Sequence, residues 1–145
     1  MRAEFHTLGL PIPQGSQVYS TTNTGRAYGR YANHKELMRW RESVAQAAWR
    51  ATNGEQFQGA VEVKILFYFD RPKTHYTAKG LLKESAPRFI VKKPDIDKIA
   101  RACLDALESA ILMEGDETVA HLSASKHWAD DHPQGIHIIV QSLEM

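Results

Sequence analysis

The sequence is poor in several things, and each shortage excludes something. It holds one cysteine, Cys103, in 145 residues, so no internal disulfide can form. Such usage fits a reducing compartment, and a cytoplasmic location is expected. No window approaches the ~18 uninterrupted apolar residues of a membrane span. The opening Met1-Arg2-Ala3-Glu4-Phe5-His6 lacks the apolar core of a signal peptide. Excess charge of one sign is also missing: 18 Lys and Arg against 17 Asp and Glu give a net +1, which argues neither for nor against a nucleic-acid partner. There is no Gly-x-Ser-x-Gly elbow and no Walker loop. His121, His127 and His137 fall on expected strands, the last two able to face each other across a hairpin. Without Cys-His spacing motifs, ordinary half-buried rings account for them better than zinc does. Cys103 lies on an apolar helix face and reads as a buried structural thiol. Repeats and low-complexity runs are absent.

What is present describes one globular domain, residues 1–145, with 43% apolar and 24% charged residues. Residues 4–12 read as a strand ended by Pro11-Ile12-Pro13-Gln14-Gly15. Residues 16–33 are polar and read as a loop, where Arg26 and Arg30 lie among Tyr19, Tyr28 and Tyr31. Arginine interleaved with tyrosine can clamp a sugar-phosphate backbone and stack on bases; a solvated surface loop explains the pattern equally well. Asn33 and Glu36 resemble a capping box, and Leu37, Trp40, Val44, Ala47 and Ala48 form one stripe, so a helix is expected over 34–52. Residues 61–69 alternate as a half-buried strand. A second helix is expected over 97–112, then strands over 118–129, with Ala120, Leu122, Ala124 and Trp128 inward, and over 136–143. The class is α+β: a mixed β-sheet with two main helices, in the order β-α-β-loop-α-β-β.

Charge is segregated along the chain. Residues 71–93 carry seven basic side chains, Arg71, Lys73, Lys79, Lys83, Arg88, Lys92 and Lys93, against the single acid Glu84. Residues 94–117 carry seven acids, Asp95, Asp97, Asp105, Glu108, Glu114, Asp116 and Glu117, against Lys98 and Arg101. The first block can hold a polyanion while the second holds cations; two ordinary solvated surfaces are the plain alternative.

Pro94 fixes its own φ and biases Lys93 away from helix, so the chain arrives extended at Asp95-Ile96-Asp97, where the second helix begins. One reading of these aspartates is structural, since Asp favours helix N-caps and first turns. The other is chemical. Asp95, Asp97 and Asp116 are hard oxygen ligands of the kind Mg²⁺ prefers, and basic neighbours such as Lys98 can position a phosphodiester. That points to metal-assisted phosphodiester hydrolysis.

The run Lys93-Pro94-Asp95-Ile96-Asp97-Lys98, then Ala102-Cys103-Leu104-Asp105-Ala106-Leu107, then Glu114-Gly115-Asp116-Glu117-Thr118-Val119, resembles the RusA family of Holliday junction resolvases. Gly9-Leu10-Pro11-Ile12-Pro13-Gln14-Gly15 is similar to that family's N-terminal signature, and Arg71-Pro72-Lys73-Thr74-His75-Tyr76 to the form in its actinobacterial and phage members. The resemblance implies a homodimeric, Mg²⁺-dependent endonuclease of DNA recombination and repair. It would nick four-way junctions symmetrically, leaving 5′-phosphate and 3′-hydroxyl ends. The family's three catalytic, metal-binding aspartates carry over to Asp95, Asp97 and Asp116. Its functional helix lysine falls at Arg101, which keeps the charge but not the capacity to lose a proton. Lys98 stands at the usual Asn and Gly115 at the usual first acid of the turn. A DNA-binding protein of this fold without nuclease activity and a nucleotide phosphohydrolase are the alternatives. A straight helix over 97–112 is about 22 Å long at ~1.5 Å per residue. That length separates Asp95 and Asp97 from Asp116: either the partner subunit supplies Asp116, or the helix starts later or breaks and Asp116 folds back in the same chain.

Overall fold

A computed structural model describes residues 1–15, 17–21, 27–31 and 33–143, with the backbone alone for 17–21 and 27–31. The alternation over β4 (Val61–Phe69) organises it: Val61, Val63, Ile65, Phe67 and Phe69 are buried on one face. Full burial of side chains such as Ile65 and Phe67 contributes roughly 1.5–3 kcal/mol each. β4 lies inside a four-stranded sheet of order β1-β6-β4-β5, with β1 (Arg2–Leu8), β5 (Val119–Trp128) and β6 (Gly135–Ser142). β6 runs antiparallel to both β1 and β4, whereas β4 and β5 are parallel. Parallel neighbours need a crossover, and residues 70–118 supply it.

Two helices complete the core. α1 (His34–Ala51) buries Leu37, Trp40, Val44 and Ala48. α2 (Ile96–Ala110) buries eight residues, including Ile99, Cys103 and Leu107, and so forms the more deeply embedded helix. Both pack into one cluster with the inward residues of β1, β4 and β6. Gly135 opens β6 against β1 so closely that a Cβ would overlap the Thr7 carbonyl oxygen, which restricts the position to glycine.

The mixed α+β architecture is as expected, with three differences. A two-stranded antiparallel ribbon, β2 (Gln17–Thr21) and β3 (Ala27–Tyr31), occupies most of the stretch read as a loop. Val18, Tyr19, Thr21, Tyr28 and Tyr31 are good strand formers, but Gly29 and the polar neighbours leave no apolar alternation to detect. Second, β5 and β6 are not a paired hairpin, because β4 lies between them. Third, Ala120 and Leu122 are exposed. Val119 pairs with Val61 and His121 with Glu62, so Ala120 is bulged out. Leu122, opposite Val63, sits on an edge strand and remains 47% exposed.

Candidate active site

The mouth of α2 is where the acidic and basic blocks meet. Asp95 is the N-cap residue in extended conformation, and its main-chain carbonyl accepts from the amides of Lys98 and Ile99. Its carboxylate makes no capping bond. Instead both oxygens accept from Lys93 Nζ, at 2.8 and 2.9 Å, and Lys98 Nζ stands 3.6 Å away. The Lys93 hydrogen bond, with the charges of Lys93 and Lys98, holds the Asp95 carboxyl below its ordinary range. Exposed pairs of this kind contribute little to stability, so the capping explanation for this aspartate falls away. Asp97, in the first turn, is exposed and makes no hydrogen bond or ion pair among the described residues.

A side chain that the sequence reading overlooked holds this loop. Lys126, half-buried on β5, donates to the carbonyl oxygens of Lys92 (2.8 Å) and Pro94 (3.0 Å). These carbonyls bracket the Lys93–Pro94 peptide, which is cis. The available signal was position: Lys126 falls between Ala124 and Trp128 on the face assigned inward, where a lysine needs a reason.

Asp116 does not lie beyond the far end of α2. The chain reverses after Ala110, pinned where the Phe57 amide donates to the Ile111 carbonyl and the Met113 amide to the Phe57 carbonyl. It then turns at Gly115, whose φ of +98° and closeness to Glu108 suit glycine. This explains the departure at that position, where an acid would be strained. Asp116 therefore returns along the helix flank, and Arg101 donates to it at 3.0 Å. Arg101 is one helical turn from Asp97 on the same face. The length argument for a partner's carboxylate assumed that the chain continues outward, and it does not.

Among the described residues one group of carboxylates lies close enough together to hold a cation. Asp105, Glu108 and Asp116 offer oxygens within 4.8 Å of one another. Asp95 and Asp97 are not part of that group. Asp105 and Glu108 were legible as acids of the block over residues 94–117, but not as ligands. The donor set is oxygen throughout, which fits a hard cation such as Mg²⁺.

The basic segment is ordered. A 3₁₀ turn over Lys73–His75 precedes a bridge between Tyr76 and Leu82, and the Lys83 amide donates to the His75 carbonyl. Arg71 anchors it: its guanidinium is almost buried, makes a two-pronged bond to Asp130 at 2.8 and 3.0 Å, and reaches the Pro87 carbonyl. Its head is thereby taken up internally. Lys73, Lys79, Lys83, Arg88, Lys92 and Lys93 are exposed, and Lys98 is half-buried. Arg26 and the side chain of Arg30 lie outside the described residues. Among the histidines, His137 bonds Glu4 at 2.6 Å, and His127 bonds Ser125 at 2.7 Å. Cys103 is buried, and burial pushes its thiol pKa far up, so it is inert.

An exposed cationic segment thus runs into a helix that carries carboxylates at its mouth and flank. Residues 9–141 match the family model described as endodeoxyribonuclease RusA. The chain belongs to that family, as a RusA-type Holliday junction resolvase. A comparison with curated proteins returned no match. Among the described residues no helix is long and apolar enough to cross a membrane.

Proposed function

We propose that this chain is a Mg²⁺-dependent endodeoxyribonuclease that resolves four-way junctions by paired hydrolytic nicks, in recombination and repair. It acts as a cytoplasmic homodimer. Asp95, Asp97 and Asp116 hold the cation, supported by Asp105 and Glu108 on the same flank. The observation that carries this reading is the reversal at Gly115. It returns Asp116 to Arg101, one turn from Asp97, within a single chain.

The cation, when bound, supplies Lewis-acid activation of water and offsets charge developing on the phosphate. The remaining work belongs to the chain. Lys93 and Lys98 exchange their contact with Asp95 for the incoming phosphate and orient it. Arg101 balances Asp116 and remains protonated, so it serves as a fixed charge and not as a proton donor. Lys126 keeps the loop ahead of Asp95 in place. Lys73, Lys79, Lys83, Arg88 and Lys92, with Arg26 and Arg30, hold the DNA arms. Arg71 acts indirectly, by fixing the segment.

A labelled synthetic four-way junction incubated with the protein tests the proposal. Paired, symmetric nicks with Mg²⁺, absent with chelator, are expected. Junction binding without nicks under Mg²⁺ or Mn²⁺ would reduce the protein to a binding module.

A further inference from the structure

A cavity of about 570 Å³ opens against the loop that carries Asp95. Pro11, Ile12, Pro13, Phe69, Ile90 and Trp128 line it. Its size is that of small-molecule sites, and its mostly apolar walls suit a flat ring. Lys93, Lys98 and Asp95 also line it, so it is continuous with the proposed phosphate position.

Its polar groups are few. Trp128 is only 8% exposed and its indole N–H is buried, so it offers the cavity ring surface and no donor. Gln134, also in the wall, spends its side-chain carbonyl on the Asp70 amide at 2.9 Å, which leaves its NH₂ to donate. One amide donor beside aromatic and aliphatic surface matches a keto oxygen or ring nitrogen of a base.

We propose that the cavity takes one unstacked nucleobase of the DNA, next to the phosphate brought to Asp95. The inference rests on the reading of the chain as a junction endonuclease and adds a base-reading site to it. Lysines along the same wall hold the phosphates flanking the displaced nucleotide. Bases at a branch point are stacked on fewer neighbours, so unstacking one there costs less than in a continuous duplex. The cavity then determines which nucleotide stands beside the cut.

The test uses the wild-type protein bound to four-way junctions with Ca²⁺ in place of Mg²⁺. Each junction carries 5-iododeoxyuridine at one position near the branch, and photocrosslinks are mapped by mass spectrometry. One position is expected to crosslink to Trp128 or Phe69. The cavity-filling variant Ile12→Trp is expected to lose that crosslink in a complex that still forms, the two proteins being compared at equal occupancy of the junction. Crosslinks confined to residues outside the cavity, or a crosslink that survives Ile12→Trp, would overturn the proposal. The nuclease reading is judged separately by adding Mg²⁺. Nicks without a cavity crosslink sink only the base site. A cavity crosslink without nicks supports the base site and removes the nuclease.

Discussion

Two surfaces of this protein gather titratable side chains, and they are built on opposite plans. At the mouth and flank of α2, acids alternate with bases: Asp95 with Lys93 and Lys98, Asp116 and Asp105 with Arg101. On the sheet face away from the helices, rings stack on one another. His6 lies 4.2 Å from His137 and 5.3 Å from His132, and His132 lies 3.9 Å from Tyr68. The histidine cluster satisfies itself, since His6 bonds His132 at 3.1 Å and His137 bonds Glu4. The α2 cluster does not, because Asp97 has no partner among the described residues and the Asp95 carboxylate meets only the lysines Lys93 and Lys98. Proximity of ionisable groups is thus common to both. Unspent ligand capacity is found in one.

The comparison breaks most visibly at Asp97. Asp97→Asn is expected to abolish nicking of a labelled junction while gel-shift affinity stays unchanged. Near wild-type cutting at saturating Mg²⁺ would remove this aspartate from the site. Lys126→Met comes next. Loss of both carbonyl contacts loosens the loop ahead of Asp95, and cleavage is expected to fall about 10–100-fold, as for other positioning contacts at metal sites. Single-turnover rates measure this, and an unchanged rate with an intact fold would show that Pro94 and the helix suffice.

Much of this was readable beforehand. The alternation over β4 and the stripes of α1 and α2 are strong periodic signals, and the aspartates stand at the helix start that Pro94 announces. What escaped was long-range. Nothing local announces that β4 inserts between β5 and β6, that Lys126 crosses to the Lys92 carbonyl, or that the chain reverses to bring Asp116 to Arg101. A turn of the chain in space decided the last of these, and the spacing of Asp97 and Asp116 along the sequence does not reveal it. Arg71 shows the same limit, since composition placed it with the DNA contacts while Asp130, 59 residues on, takes its guanidinium.

Smaller effects sharpen the comparison. Replacing Lys79, Lys83 and Arg88 by Ala should flatten the slope of log affinity against log salt by up to about three units if all three meet phosphates. An unchanged slope would place the contacts elsewhere. The histidine surface should matter to stability alone. Burial, and then the neighbouring His137 and His132, hold the His6 pKa below its ordinary value. The unfolded chain therefore binds this proton first, and the His6 contribution to stability is present above about pH 6.5 and declines as pH falls below it. His6→Gln should lessen the acid-side fall in melting temperature and leave junction cleavage untouched. A loss of cleavage in that variant would mean that the sheet face takes part in the reaction.

The central claim is that the mouth and the flank of α2 form one cation site. Iron-directed cleavage of the polypeptide reads this directly: Fe²⁺ replaces Mg²⁺, peroxide and ascorbate are added, and the cut positions are sequenced. The account predicts cuts near both Asp95–Asp97 and Asp116, competed by Mg²⁺ and lost together in Asp97→Asn. Cuts confined to the neighbourhood of Asp105, Glu108 and Asp116, unaffected by Asp97→Asn, would contradict it.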